Sequence, residues 1–367
     1  MPVPLFDTQT MLAPLRARLY DRALAVLDSG VYINGPESRA FESEFASYLG
    51  AGHVIGVANG TDALTIALRT LGVGPGDEVI VPSFTFYASA EAIPPTGASP
   101  RFCDVDRETY CVTAETVRAA LTPRTKAVIA VDLFGNVAPI PEIEALGVTV
   151  LEDAAQAAGA ALGERRAGVL GTAATFSFYP SKNLGGFGDG GAIVTADDAL
   201  AERARLLRSH GSADKRTFVE IGCNSRLDEL QAALLRVLLP SLDEWGDRRR
   251  AAAAAYADAG LGSLVALPRP VTGATPAWHL YVIRHPRADA LAAELARGGI
   301  GASAYYRTPI HRQPAMCAWA QDGPPLPVTE EIADTHLAIP IGPMLTRGQV
   351  DEVVAAVERA VAAVSTP

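Results

Sequence analysis

Apolar residues in the first 260 positions fall into short runs separated by stretches with helical spacing. VIGVA (54–58), EVIVP (78–82), RFCDV (101–105), AVIAVD (127–132), VTVLED (148–153), TFSFY (175–179) and GAIVT (191–195) are strand-length apolar runs. DALTIALRTLGV (62–73) instead repeats its apolar positions at the helical period. Strands that alternate with helices predict parallel pairing, with helices on both faces of the sheet. Runs without polar alternation fit strands covered on both sides. The pattern therefore predicts an α/β fold.

The rhythm changes near Ser225. SRLDELQAALLRVLLPSLDEWGDRRRAAAAAYADAG reads as one long helical run, with a kink predicted at Pro240. A Pro/Gly-rich link follows, then a strand WHLYVIR (278–284) and a helix ADALAAELARGG (288–299). A further strand and loop, GASAYYRTPIH (301–311), precede LAIPI (337–341) and a last helix from Thr346. This predicts a large domain over residues 1–250, including the N-terminal segment and the bridging helix, and a smaller α+β domain over 251–367.

Composition narrows the function. The chain has 367 residues, 49% of them hydrophobic, and a formal net charge of −10. A net charge of this sign disfavours nucleic acid and anionic membranes as partners, since both need a basic face, but leaves room for a small anionic substrate met by local cations. Cys103, Cys111, Cys223 and Cys317 form no CxxC pair and suit no zinc motif, which fits reduced thiols in a cytoplasmic protein. The start, MPVPLFDTQT, has no secretory pattern, and no apolar run of about 18 residues predicts a membrane span.

In open α/β sheets, ligands bind beyond the carboxyl ends of the strands. After VIGVA, Asn59 and Gly60 make a turn, and Thr61 and Asp62 start a helix. Such a start can cradle a phosphate, or can be an ordinary capped helix. Asp153 closes VTVLED, with Gln156 three residues on. A carboxylate there can pair with a protonated ring nitrogen, or cap the next helix. Ser177 and Lys182 follow TFSFY and lead into GGFGDGG. A lysine against apolar walls loses hydration, which favours the neutral amine and Schiff-base chemistry; a lysine reaching back to solvent is the plain alternative. Phe86, after EVIVP, can stack on a planar ring or simply fill core. Together, these strand ends supply a phosphate cradle, a ring-nitrogen carboxylate, a stacking aromatic and an imine-forming amine. Those are the parts that pyridoxal 5′-phosphate needs.

The sequence resembles the DegT/DnrJ/EryC1/StrS family of nucleotide-sugar aminotransferases. The likeness runs through YINGPESRAFESEFASYLG, ANGTDALTIALRTLGVGPGDEVIVPSFTF, VDLFGNVAPI, LEDAAQAAGA, TFSFYPSKNLGGFGDGGAIVT, NSRLDELQAALLR and YYRTPIHRQPA. It implies a pyridoxal-phosphate-dependent transferase of fold type I: a large domain with a mostly parallel sheet between helices, plus a smaller C-terminal α+β domain. Residue by residue, it implies that Lys182 binds the cofactor covalently, Asp153 pairs with the ring nitrogen and Gln156 lies near the ring hydroxyl. Phe86 is implied to cover the ring, and Gly60, Thr61 and Ser177 to hold the phosphate. Asn224 is implied to reach the phosphate of a neighbouring subunit, which makes the active unit a homodimer with its sites at the interface. Tyr306 and His311 match a loop close to the sugar-nucleotide substrate. Arg226, Arg307 and Arg312 are cations that could bind its diphosphate. The family usually has Gly where this chain has Ser181. Some relatives carry His at the lysine position and dehydrate their substrate, so Lys182 implies amino transfer.

The implied reaction moves an amino group from L-glutamate to the keto group of a nucleotide-linked, dTDP-type deoxy sugar, in amino-sugar or natural-product biosynthesis. A keto-cyclitol acceptor, a lyase of the same fold, and a non-catalytic regulatory protein that binds cofactor or sugar are the alternatives. An NAD(P) dehydrogenase is disfavoured, because no GxGxxG follows the first strand.

Overall fold

The computed structural model describes residues 2–320 and 323–365. The remaining residues of the two expected domains, 1, 321–322 and 366–367, lie outside the described residues. Seven strands build the central sheet: β1 (His53–Val57), β2 (Glu78–Pro82), β3 (Ser99–Cys103), β4 (Thr125–Val131), β5 (Thr149–Asp153), β6 (Ala173–Ser177) and β7 (Gly191–Thr195). Their order is β1-β7-β6-β5-β4-β2-β3. β7 runs antiparallel to β1 and β6, and the other neighbours pair in parallel. Every residue of β2 and β7 is buried, as strands covered on both faces require.

Register decides what the sheet presents. Val131 pairs with Asp153, and Asp153 with Thr175. The carboxyl ends of β4, β5 and β6 therefore finish side by side, which brings Asp153 next to the segment that follows Ser177.

Helices α2 (Pro36–Leu49), α3 (Gly60–Thr70) and α4 (Asp198–Leu207) cover the sheet, while α1 (Arg16–Ser29) packs on the helix that starts at Glu229. The long run expected from Ser225 divides into α5 (Glu229–Leu238), a 3₁₀ turn at Leu239–Ser241 and α6 (Leu242–Asp258). Pro240 explains the break, since it has no N–H to continue the ladder. α5 begins at Glu229 because Asp228 caps it, accepting a hydrogen bond from the Gln231 N–H at 2.7 Å. Glu229 in turn caps α2 across the fold, accepting from the N–H groups of Gly35, Glu37 and Ser38.

The smaller unit pairs β8 (Tyr281–Arg284) with β9 (His336–Ile339) in antiparallel fashion and packs α7 (Ala288–Arg297) and α8 (Arg347–Ser365) around them. The expected boundary at 250/251 falls inside α6, which runs unbroken through it. The segment expected as a strand near 301 makes only a single bridge, Ser303 to Ala338, and otherwise turns. Two apolar cores result. One surrounds the seven-stranded sheet, and the other joins α6, α7, α8 and their two strands. Val3 belongs to the second core: its N–H donates to Gly299 O at 3.0 Å, and its carbonyl accepts from Gly301 N at 2.8 Å.

Candidate active site

A cavity of about 680 Å³ opens beyond the carboxyl ends of the central strands, a size suited to a cofactor with a substrate beside it. Its lining includes Gly60, Thr61, Phe86, Asp153, Gln156, Ser177, Lys182 and Tyr306.

The lysine is placed by its loop. After β6, Phe178 N donates to Gly190 O at 2.8 Å, and Gly186 N donates to Phe178 O at 2.7 Å, closing the glycine-rich loop on itself. Within it, Lys182 N donates to Tyr179 O at 2.8 Å. Asn183 pins the loop from beneath, its side chain donating to Ala277 O at 2.8 Å. Burial pulls the Lys182 amine down to about 8, opposed by the nearby Asp153 carboxylate. An amine in that range is available both as a nucleophile and as a proton carrier near neutral pH.

Asp153 is 4% exposed. Its Oδ2 accepts from Ser89 Oγ at 2.7 Å and its Oδ1 from Ala155 N at 3.2 Å. Burial raises its affinity for a proton, while Ser89, the Ala155 N–H and Lys182 hold it towards the anion. A buried carboxylate in this state gains from a cationic N–H partner. Gln156 has both ends of its amide engaged: Oε1 accepts from Phe134 N at 2.7 Å, and Nε2 donates to the Tyr306 hydroxyl at 3.1 Å. The Tyr306 ring stacks on Phe134 with centroids 6.0 Å apart and approaches Phe86 at 6.1 Å. Phe86 remains 53% exposed, so much of its ring is open for a planar partner.

The start of α3 forms part of the cavity wall. Asn59, rather than Thr61 or Asp62, is the cap: its side chain accepts from Asp62 N at 2.8 Å. The Thr61 hydroxyl is thereby released from capping, and the first-turn N–H groups have no intrahelical acceptor. Gly60 is required by close approach, because a Cβ there would lie 2.8 Å from the Ser177 Cβ. Among the described residues lining the cavity, Lys182 is the one cation, set against Asp62, Asp153 and Asp189. Within one chain, a phosphate there relies on the helix dipole and N–H donors.

The expected cationic substrate contacts are not brought to this cavity. Arg307 is held by Asp289, at 2.9 Å from Nε and 2.6 Å from Nη2, and donates to Ala333 O at 2.6 Å. His311 is clamped between Ser83 Oγ at 2.6 Å and Glu330 Oε1 at 2.8 Å. Arg312 pairs with the same glutamate at 2.6 Å. Arg307 and Arg312 are paired with local carboxylates, and all three side chains lie outside the lining. Arg226 also lies outside it, half-buried, with its Nε lacking a hydrogen-bond partner. Asn224 is exposed on a segment whose next residue, Ser225, is buried and accepts from Ala58 N at 3.0 Å. Ser89, Tyr305, His279 and Phe6 join the lining or its hydrogen bonds without having been singled out from sequence. Asn59, expected as a turn residue, proves to be the cap.

Known proteins are similar to this chain in sequence and fold. The model of the DegT/DnrJ/EryC1/StrS aminotransferase family matches residues 15–358. A dTDP-3-amino-3,4,6-trideoxy-alpha-D-glucose transaminase from Streptomyces venezuelae is 46% identical over 97% of this chain and 95% of its own. A pleiotropic regulatory protein from Geobacillus stearothermophilus is 43% identical over 96% of this chain and 97% of its own. The crystal structure of S. venezuelae DesV in complex with a ketimine intermediate superposes with a TM-score of 0.93 at 45% identity, covering 98% of each chain. The chain therefore belongs to the DegT/DnrJ/EryC1/StrS aminotransferase family, whose members are pyridoxal-phosphate-dependent enzymes of fold type I.

Proposed function

We propose that this protein transfers an amino group from L-glutamate to the 3-keto group of a dTDP-linked deoxy sugar. The single observation that carries this reading is the meeting of Lys182 and Asp153 in one cavity with the start of α3. The name of the S. venezuelae transaminase, with its 3-amino product, supports the choice of sugar and carbon. Biosynthesis of an amino sugar for an antibiotic or other natural product, in the cytoplasm, fits that product and the four free cysteines.

The residues fit pyridoxal phosphate. Bound there, the cofactor supplies an electron sink for charge developed at the α-carbon of the donor. Asp153 would keep the ring nitrogen protonated, with Ser89 orienting that carboxylate. Gly60, Thr61 and Ser177 would hold the phosphate, Phe86 would cover the ring, and Gln156 and Tyr306 would serve the ring hydroxyl and the sugar. Lys182 would hold the cofactor, and its amine, lowered to about 8, would take a proton from the donor α-carbon and return one to the product.

The active unit in this reading is a homodimer. The exposed large apolar side chains include Tyr20, Leu24 and Leu27 on α1 and Phe218, Val219 and Ile221 on the segment before Asn224. Ile221 is 87% exposed, far beyond what an isolated surface needs. A second copy covering this face brings Asn224 to the other copy's phosphate site, and Arg226 becomes the diphosphate cation. Arg226 would add a positive charge, and Asn224 an amide donor, to a cavity lined in one chain by a single cation.

Purified protein loaded with pyridoxal phosphate and treated with borohydride is expected to carry the adduct on the Lys182 peptide, with none in Lys182→Ala. Glutamate is expected to bleach the wild-type imine absorbance, and a dTDP-3-keto sugar to restore it with an aminated product. No adduct at Lys182 refutes the assignment. Binding without bleaching favours a regulatory role, the competing reading that the name of the G. stearothermophilus relative suggests.

A further inference from the structure

Two carboxyl groups lie behind the cavity wall, and the reaction above uses neither. Asp132 and Glu152 are both 0% exposed. Among the described residues, no lysine or arginine pairs with either of them.

Strand register brings the two together. Ala130 pairs with Glu152, and Val131 with Asp153. Asp132 continues β4, and its N–H donates to Asp153 O at 3.0 Å. Side chains alternate along a strand, so Glu152 points away from the Asp153 carboxylate, and Asp132 meets it on that other face. The two side chains are in hydrogen-bonding contact.

The backbone donors are divided unequally between them. Glu152 Oε1 accepts from Gly168 N at 2.6 Å, and Oε2 from Leu170 N at 3.0 Å and Gly171 N at 3.4 Å. Asp132 Oδ1 accepts from Ala138 N at 2.8 Å, while its Oδ2 is buried with no donor to accept from. Two bare carboxylates in contact would leave that oxygen unpaired and place two like charges in apolar surroundings. One proton removes both faults. A protonated Asp132 has an O–H to give, and Glu152 is the acceptor within its reach. The other groups that face Asp132 are Asp153 on β5 and the Cys111 thiol, and neither offers a positive charge. Burial, with the Glu152 charge added, holds the Asp132 acid well above the ordinary carboxylate range.

The same carboxyl closes the loop 132–138 through Ala138 N. That loop carries Phe134, whose N–H donates to Gln156 Oε1 at 2.7 Å and whose ring stacks on Tyr306. A proton bridge from Asp132 to Glu152 therefore ties a loop that supports the cavity to β5 and to the turn at 168–171.

We propose that Asp132 is a neutral carboxylic acid in the folded protein and donates its proton to Glu152, which makes it a positioning residue for the loop under Gln156 and Tyr306. One negative charge, rather than two, then stands behind Asp153. The value of that to the reaction rests on Asp153 being the partner of the cofactor ring nitrogen; the shared proton does not.

The first two measurements use the cofactor-free protein, so their failure is distinct from failure of the borohydride experiment. Infrared difference spectra at neutral pH, wild type minus Asp132→Asn, are expected to show the C=O stretch of a protonated carboxylic acid, moved to lower frequency in D₂O. A spectrum without that band overturns the proposal. Linkage supplies the second measurement. Above its ordinary value of 3.8 an unfolded aspartate is ionised, so folding takes up one proton at Asp132. The stability it contributes is full below that value and is lost as pH rises towards the raised folded value. Relative to Asp132→Asn, the folding equilibrium constant of wild type is expected to fall about tenfold per pH unit between roughly pH 5 and pH 7 in urea titrations. Glu152→Gln, whose amide can donate to Asp132, is expected to lose the same slope. A wild-type slope matching those of both variants overturns the proposal. The positioning role is read as affinity for pyridoxal phosphate. Asp132→Asn keeps both an acceptor and a donor and is expected to bind as wild type does, whereas Asp132→Leu is expected to bind about tenfold more weakly. Equal binding by all three proteins overturns that role.

Discussion

Lys182 carries its function at a cost to the fold. Its amine is lowered from 10.5 to about 8 by burial, so the unfolded chain binds the proton more tightly. Stability of the cofactor-free protein should therefore rise with pH between those two values, and the penalty is full below the lower one. Lys182→Met removes the penalty while keeping most of the volume. It is expected to stabilise the cofactor-free protein by on the order of 2 kcal/mol near neutral pH, a figure discounted because the cavity leaves the side chain partly in water. The gain should vanish by about pH 10.5, as urea titrations at the two pH values would show. A variant no more stable at neutral pH would mean that the lysine is not desolvated. Lys182 and Asp153 were legible from sequence because each sits at the end of its own apolar strand. Ser89 was not: it follows β2, and β4 lies between β2 and β5 in the sheet. Nor was the quenching of Arg307 and His311 legible, because their carboxylates, Asp289 and Glu330, lie 18 and 19 residues away, on no helical or strand spacing.

Among the elements, the strands were the most legible, since a sheet buried on both faces leaves continuous apolar runs. Boundaries were set by residues that hydrogen-bond locally, such as Asn59 and Asp228, and a long-range cap leaves no such trace. Glu229 is the clearest case. Its carboxylate accepts from three N–H groups at the start of α2 and from the Ser38 hydroxyl, and is 1% exposed. Burial pushes the acid up, but the Ser38 hydroxyl and those N–H groups overcome it and hold the group below its ordinary 4.5. The stabilisation is therefore present above that value and is lost as pH falls through the lower folded value. Glu229→Gln replaces one acceptor oxygen by an NH₂ facing donors. It should cost about 2–3 kcal/mol near pH 7, with the gap to wild type narrowing below about pH 4 in thermal melts. A gap that does not change with pH would mean that packing, not charge, holds α2 to α5.

At the scale of the whole molecule, two packed regions with a bridging helix between them were legible from sequence, whereas the crossing of Val3 back to the second core was not. The proposed dimer came from the resemblance alone, since an exposed apolar face looks in sequence like any core stripe. The geometry makes the dimer testable in a way that mass alone does not. If Asn224 serves the other copy's cavity while Lys182 serves its own, two inactive variants should complement each other. In a mixed dimer of Lys182→Ala and Asn224→Asp, one cavity receives both changes and the other receives neither. Random reassociation makes half of the dimers mixed, so about a quarter of wild-type activity should return. If Asn224 served its own cavity, every cavity in the mixture would keep one defect and no activity would return. Ile221→Asp, which places a charge on the exposed apolar face, should weaken association and reduce that recovery in parallel with the dimer mass seen by light scattering. Recovery without dimers, or dimers without recovery, would place the shared site elsewhere.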